Sequence, residues 1–230
     1  MIPALRTREV AREYLDQPRL DVFELRRNLR EMAKLNRLPG GATDSRRAIE
    51  WLLGGAERAV VVDVGTGAGD LPALLVRNRR GRGLQVLACD VRPEVLEYAA
   101  HRLTTFAQVE LLEADARRLP LADESADVVH ASLLIHHFDR SDAVRVLGEM
   151  RRVARRGVVV NDLRRGRVAF VVTAMTVLGL ARARYTRHDG VLSARRAYTL
   201  DELDELAAAA GLRRVRRSPA FLPRVVTVYR

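Results

Sequence analysis

An apolar run from Ala59 to Val64, with one aspartate at position 63, leads directly into Gly65-Thr66-Gly67-Ala68-Gly69-Asp70. A run of this kind reads as a strand buried on both faces. Glycines after it let the backbone turn sharply and lie against a ligand. Leu71 to Arg79 then has helical spacing. A buried strand, a glycine turn and a helix are the opening of an open parallel sheet whose ligands bind at the carboxyl ends of its strands.

The rest of the chain supports that opening. Strands are expected at Leu84–Cys89, Val109–Glu113, Ala126–Leu133 and Val158–Val160, and helices at Glu94–Leu103, after Pro93, and Asp142–Arg152. Strands alternating with helices imply crossover units and a parallel sheet. Before this pattern, residues 1–55 read as helical. Asp21 and Glu24 have the spacing of a capping box, followed by Val22, Leu25, Leu29 and Met32 on one face. Thr43 or Asp44 is expected to cap a second helix running to Leu53. After the sheet pattern, Arg164–Tyr185 reads as one helix with an apolar middle. Thr199 and Glu202 open another helix that stops at Gly211. Leu212–Arg217 and Arg224–Tyr229 read as two closing strands, joined by a turn with Pro219 and Pro223.

The glycine loop discriminates between ligands. A dinucleotide fingerprint would need glycine at position 70, where this chain has Asp70. A carboxylate at a helix N-terminus repels a pyrophosphate and competes for its site, so the loop suits a ligand without phosphates. Asp90 ends the next strand, 21 residues after Gly69, where an acidic side chain can accept hydrogen bonds from both ribose hydroxyls. Asp115 follows the third strand in Glu113-Ala114-Asp115-Ala116.

Asp63-Val64-Gly65-Thr66-Gly67-Ala68-Gly69 resembles the first motif of class I S-adenosylmethionine-dependent methyltransferases, and Asp90 and Asp115 fall where that family has its next two acidic positions. The resemblance spans about residues 59–161. It implies a doubly wound α/β fold with a mostly parallel, Rossmann-like, seven-stranded sheet. N-terminal helices (1–55) and an insertion at about 164–198 would cap a methyltransferase domain covering 56–230. It implies S-adenosylmethionine as cofactor, leaving as S-adenosylhomocysteine. The expected cofactor site is Asp63, Gly65, Thr66, Gly67, Gly69, Asp90, Val91, Asp115, Ala116 and Ser132, with Asp115 at the adenine amino group.

Methyl transfer to an oxygen benefits from a base. His136 and His137 follow the fourth strand, and His188 lies in a segment expected to be a loop able to fold over the pocket. All three are candidate catalytic residues, and no metal is assigned. The apolar stretch Val168–Leu180 reads as a core helix, as a wall of the acceptor pocket, or, with arginines on both sides but no polar face, as a membrane-surface helix. Three further segments are similar to bacterial methyltransferases associated with type III polyketide synthases and related to quinone-biosynthesis enzymes. These are Leu15–Gly41, Val158–Arg164 and Arg187-His188-Asp189-Gly190 on to Thr199. That similarity implies O-methylation of a phenolic or quinone-like hydroxyl on a largely hydrophobic molecule. C- or N-methylation of another metabolite, and a non-catalytic cofactor-binding partner, are the alternatives.

The charge of +11 and a pI near 11 raise the question of nucleic acid. All but one of the 40 basic residues are Arg, the exception being Lys34, and they are spread along the chain. Aromatics make up only 5% and do not cluster, so no stacking platform for bases stands out. A small molecule, not nucleic acid, is the expected partner, and a homodimer is compatible with the sequence. No apolar run reaches the ~20 residues of a membrane span. The N-terminus lacks the apolar core of a signal peptide and Cys89 is the one cysteine, so the expected location is the cytoplasm.

Overall fold

A computed structural model describes residues 5, 7–17, 20–79, 83–219 and 223–230. The turn expected between the two closing strands falls largely on 220–222, outside the described residues.

Among the described residues, seven strands form one sheet: β1 (Arg58–Val64), β2 (Gly83–Asp90), β3 (Val109–Glu113), β4 (Ala126–Ser132), β5 (Ala154–Leu163), β6 (Arg214–Arg217) and β7 (Arg224–Tyr229). Their spatial order is β3-β2-β1-β4-β5-β7-β6. The first five run parallel, and β7 is antiparallel to both β5 and β6. The order reverses between β1 and β4, which opens a crevice at their carboxyl ends.

The central strands are apolar on both faces because helices cover both. On one side α5 (Arg140–Val153) and α8 (Leu200–Ala209) bring Val146, Leu147, Met150, Leu203 and Leu206 onto the sheet. On the other, α2 (Ala42–Leu53) and α3 (Asp70–Asn78) supply Ile49, Leu52, Leu53 and Leu75. Each such buried side chain contributes about 1.5–3 kcal/mol. The crossover between β2 and β3, α4 (Pro93–Leu103), begins with proline at its first turn.

α1 (Val22–Leu35) forms a smaller core over the crevice, where Leu25, Leu29 and Ala33 meet Ala68 and Val95. Asp21 caps it by accepting from the Phe23 and Glu24 amides. Glu24 does not return the bond, and the Asp21 amide donates to the Tyr185 hydroxyl instead. The cap of α2 is Gly41, not Thr43 or Asp44. Both of those lie inside the helix, and Asp44 reaches back to the Gly40 amide at 2.8 Å. The reciprocal box of Thr199 and Glu202 is present on α8.

The segment expected as one helix, Arg164–Tyr185, is divided into α6 (Arg167–Leu180) and the start of α7 (Arg184–Arg196). Local propensity does not make the break. The Glu31 carboxylate on α1 accepts from the Arg182 and Ala183 amides at 2.9 and 3.0 Å, fixing the N-terminus of α7 against α1. His188 is therefore on a helix and not in a loop. Among the described residues no helix is long and apolar enough to cross a membrane.

Candidate active site

The turn after β1 is shaped by what surrounds it. Gly69 caps α3 at φ +68°, and a Cβ there would lie 2.6 Å from Leu103 Cδ1. Only glycine meets both conditions without strain. Gly69 therefore packs against α4 and does not line the crevice. Asp63, the aspartate in the apolar strand, is buried. It accepts from Thr66 Oγ1 at 2.8 Å and faces His130 Nδ1 at 2.7 Å. His130 continues to Ser45 Oγ, and Ser45 to Asn161 Nδ2. Arg224 then joins Asn161 to Ser132 and Asn36, and Asn36 Nδ2 donates to Asp70 at 3.0 Å. Burial pushes the Arg224 guanidinium down to about 10. This buried polar chain ties the glycine loop to α1, α2 and β7.

A cleft of about 720 Å³ runs over the carboxyl ends of the strands. It is lined by seven of the ten expected cofactor residues: Asp63, Gly65, Thr66, Gly67, Asp90, Val91 and Ser132. Asp90 accepts from the Gly67 and Arg92 amides, each at 3.2 Å. Burial holds its carboxyl above the usual range despite those bonds. The first amides of α3 face no vacant anion site, because Asp70 stands there and burial raises its pKa too. Asp63, Asp70 and Asp90 on one wall make the cleft unsuitable for a pyrophosphate and suitable for hydroxyl and amine donors.

Asp115 is placed differently from its neighbours in the motif. Its carboxylate is held by Arg117 at 2.7 Å, and Arg117 also reaches Asp142 at 3.1 Å. That hydrogen bonding keeps Asp115 below its ordinary pKa. Arg117, not Asp115, lines the cleft, and Ala116 is buried in the core.

A second, mainly apolar cavity of about 320 Å³ adjoins the first, between α1, α6 and α7. Leu15, Asn28, Met32, Leu133 and His137 line both. Its polar groups include Glu13, His136, His137, Asp189 and Ser193. The two histidines form a short 3-10 turn after β4 (Ile135–His137). Arg8 and Arg196 donate to the His136 and His137 carbonyls, and the Tyr198 hydroxyl to that of Phe138. Each ring is aimed by a carboxylate: His136 Nδ1 is 2.6 Å from Asp162 Oδ1, and His137 Nδ1 is 2.8 Å from Asp16 Oδ1. A carboxylate only accepts, so Nδ1 carries the proton and Nε2 is the basic atom of the neutral ring. Both Nε2 atoms face the buried Glu13 carboxylate, at 3.8 and 3.7 Å.

Burial is the largest influence on His137 and pushes its pKa down. Glu13 and the Asp16 hydrogen bond together outweigh it, so the net shift is upward. On Asp16 burial acts upward and is overcome by His137 and Arg196, which hold the carboxyl far below its usual value. Asp162 is likewise lowered, His136 overcoming its burial. Among the described residues, Glu13, His136 and His137 are the group that could hold a metal ion. Arg196 already brings a cation to 3.5 Å from Glu13, and Ser193 donates to Glu13 at 2.9 Å, so the charge of the cluster is met within the chain.

His188 does not line this cavity. Half-exposed on α7, it packs on Tyr14 and binds Asp189 at 2.8 Å. Asp189, which the sequence offers as a turn residue before Gly190, is buried and accepts from the Tyr14 and Leu15 amides. Glu13, Asp16 and Asp162 are not among the site residues expected from the sequence. Glu13 and Asp16 sit in an N-terminal segment without periodicity, and only its contacts with residues more than 100 positions away give it a role.

Residues 61–157 match a family model described as a methyltransferase domain. A demethylmenaquinone methyltransferase of Thermus thermophilus is 34% identical over 123 residues, 52% of this chain and 54% of that protein. A malonyl-[acyl-carrier protein] O-methyltransferase of Methylococcus capsulatus is 27% identical over 170 residues, 74% of this chain and 58% of that protein. The chain thus spans about half the length of the curated relatives it matches. Among solved structures, an Aquifex aeolicus S-adenosylmethionine-dependent methyltransferase superposes with a TM-score of 0.60 at 21% identity, covering 92% of this chain and 98% of that one. Human N-acetylserotonin methyltransferase, in complex with S-adenosylmethionine, gives 0.68 at 17% identity, covering 91% of this chain and 56% of that one. These two structural likenesses speak to the fold.

Proposed function

We propose that this chain, which carries a class I S-adenosylmethionine-dependent methyltransferase domain, methylates a hydroxyl on a small, largely hydrophobic acceptor of phenolic or quinone-like type. The observation that carries this reading is the position of His137. Among the described residues it is the one titratable side chain lining both the cleft that suits the cofactor and the apolar cavity.

The cofactor supplies, when bound, a methyl group on a positively charged sulfur. Asp90 is suited to the ribose hydroxyls, and the loop from Gly65 to Gly67 to the amino-acid tail. Asp115 would serve the adenine amino group only by giving up part of its pairing with Arg117, and Arg117 itself is the side chain that faces the cleft. Leu15, Met32, Leu133 and Val177 exclude water from the acceptor side. Holding the hydroxyl in line is the chief contribution, worth on the order of 7–11 kcal/mol in well-oriented systems. His137 Nε2 takes the hydroxyl proton as the oxygen becomes the nucleophile. Asp16 keeps the ring in the tautomer this requires, and Glu13 and Asp16 hold the imidazolium that forms. His136, deeper and bound to Asp162, positions the neighbouring ring, with ring centroids 4.4 Å apart. His188, outside the cavity, takes no part in this step.

The demethylmenaquinone methyltransferase relatives favour a quinone-like acceptor, and the apolar cavity agrees with one. Incubation of the protein with methyl-labelled cofactor and a panel of alkyl-substituted phenols and hydroquinones tests the reading. The expected product carries the label on oxygen. Label on carbon or nitrogen, or on an acyl-carrier carboxyl in preference to every phenol, would overturn it.

A further inference from the structure

The outer side of α6 is an apolar surface with nothing packed on it among the described residues. Val168, Val172, Met175 and Leu178 are spaced four, three and three residues apart, which places them on one side of the helix. Val168 is 67% exposed and Met175 71%, and Leu180 at the helix end is 62% exposed. Single exposed apolar residues are ordinary on proteins; a contiguous row along one helix marks a contact surface.

The charges around this row are the second observation. Exposed arginines stand at both ends: Arg167 at the start of α6, and Arg182 and Arg187 just beyond its end. None of these three side chains has an ion-pair partner among the described residues. Some exposed arginines elsewhere are paired, as in Arg26–Glu97, Arg140–Glu205 and Arg214–Asp204, and others, such as Arg12, Arg30 and Arg118, make no ion pair among the described residues; what sets Arg167, Arg182 and Arg187 apart is that they flank the apolar row. The nearby acids on α1 are engaged: Glu31 by the Arg182 and Ala183 amides just before α7, and Glu24 by Arg27 and the Arg184 amide.

We propose that this face of α6 docks the protein on an anionic lipid surface. An apolar row bounded by unpaired arginines matches a bilayer interface with negative headgroups. A second copy of the chain would match it poorly, because self-association on this face would bring the same unpaired arginines together in a protein of net charge +11. The 14 residues of α6 span about 21 Å, too short for the ~30 Å of a bilayer core, so the helix lies along the surface. Its opposite side, with Thr173, Thr176 and Val177, walls the acceptor cavity, and Val172 belongs both to the exposed row and to the cavity lining. The docked face therefore adjoins the cavity edge, where an apolar molecule dissolved in the lipid can enter. This inference goes beyond methyl transfer and stands without it.

The test is co-sedimentation of the full chain with vesicles of phosphatidylcholine containing phosphatidylglycerol, and with phosphatidylcholine alone. A triple variant, Val168→Ser, Met175→Ser and Leu178→Ser, keeps every charge, and circular dichroism melts report its folding. Met175→Ser alone serves if the triple variant does not fold. The wild-type chain should bind the anionic vesicles and favour them over the neutral ones. The triple variant should partition at least about tenfold less, and the single variant measurably less, since each buried methylene contributes to interfacial binding. No binding to anionic vesicles, or equal binding by wild type and variants, overturns the proposal. So does a dimer in velocity ultracentrifugation that the substitutions convert to monomer, which would mean that a second copy covers this face.

Discussion

Glu13, Asp16 and His137 form a unit in which each residue sets the state of the others. With His137 as the proposed base, its raised pKa means that the neutral ring becomes available only as pH climbs above the ordinary histidine value of about 6.5. The rate of methyl transfer to a hydroxyl should therefore rise with pH through a midpoint above that value. Asp16→Asn removes a negative charge that favours the imidazolium, so the midpoint should move to lower pH; an unmoved profile would place the base elsewhere. The same pair makes a stability prediction. Asp16 is depressed in the fold, so its contribution is present above about pH 4 and is lost as pH falls. His137 is raised, so its contribution is present below about pH 6.5 and is lost as pH rises through the folded value. Thermal melts should show the Asp16→Asn deficit largest between those limits. Glu13→Gln keeps the size of the side chain and the Ser193 contact but removes the charge beside both imidazoles. A fall in kcat is expected, smaller than the about 10²–10⁴ that loss of the acid–base group itself, His137, would cause, with cofactor affinity unchanged in a binding titration. These residues were only partly legible in the chain. His136 and His137 stand out because they follow a strand end. Glu13 and Asp16 give no local signal, and their place in the cluster comes from contacts with the 3-10 turn after β4 and with α7.

At the scale of elements, the parallel strands could be read because burial on both faces leaves long apolar runs, and because aspartates recur at their carboxyl ends. The division of Arg164–Tyr185 could not. Ala181-Arg182-Ala183 has helical propensity, and the break comes from the Glu31 side chain on α1. Asp189 reads locally as a turn residue, yet it binds the segment that carries Glu13 and Asp16. Two elements meet closely at Gly190, where a Cβ would lie 2.9 Å from both methyl carbons of Val177. That contact brings α6 against α7 and limits the width of the apolar cavity proposed for the acceptor. Gly190→Ala should force α6 outward, raising the KM for the acceptor several-fold while leaving the affinity for S-adenosylhomocysteine unchanged. Steady-state kinetics with both substrates varied separates the two effects, and a change confined to the cofactor would show that α6 is not the acceptor wall.

For the whole molecule, the reversal of strand order between β1 and β4 decides where ligands gather. N-terminal helices, a glycine turn and the α6–α7 pair come together over that crevice from distant parts of the sequence. The alternation of strands and helices announces the sheet, but the antiparallel last strand and the buried chain from Asp63 to Arg224 depend on how residues far apart in sequence pack. The proposed function requires a nucleoside with an amino-acid tail, and no phosphate, to lie across this rim. Titration calorimetry of the purified chain with S-adenosylhomocysteine is the most direct test. One binding event per chain is predicted, weakened about 10- to 100-fold by Asp90→Asn, the cost of losing hydrogen bonds to a charged acceptor, with no heat from nicotinamide or flavin dinucleotides. Tight binding of a dinucleotide, together with no heat from S-adenosylhomocysteine or S-adenosylmethionine, would contradict it.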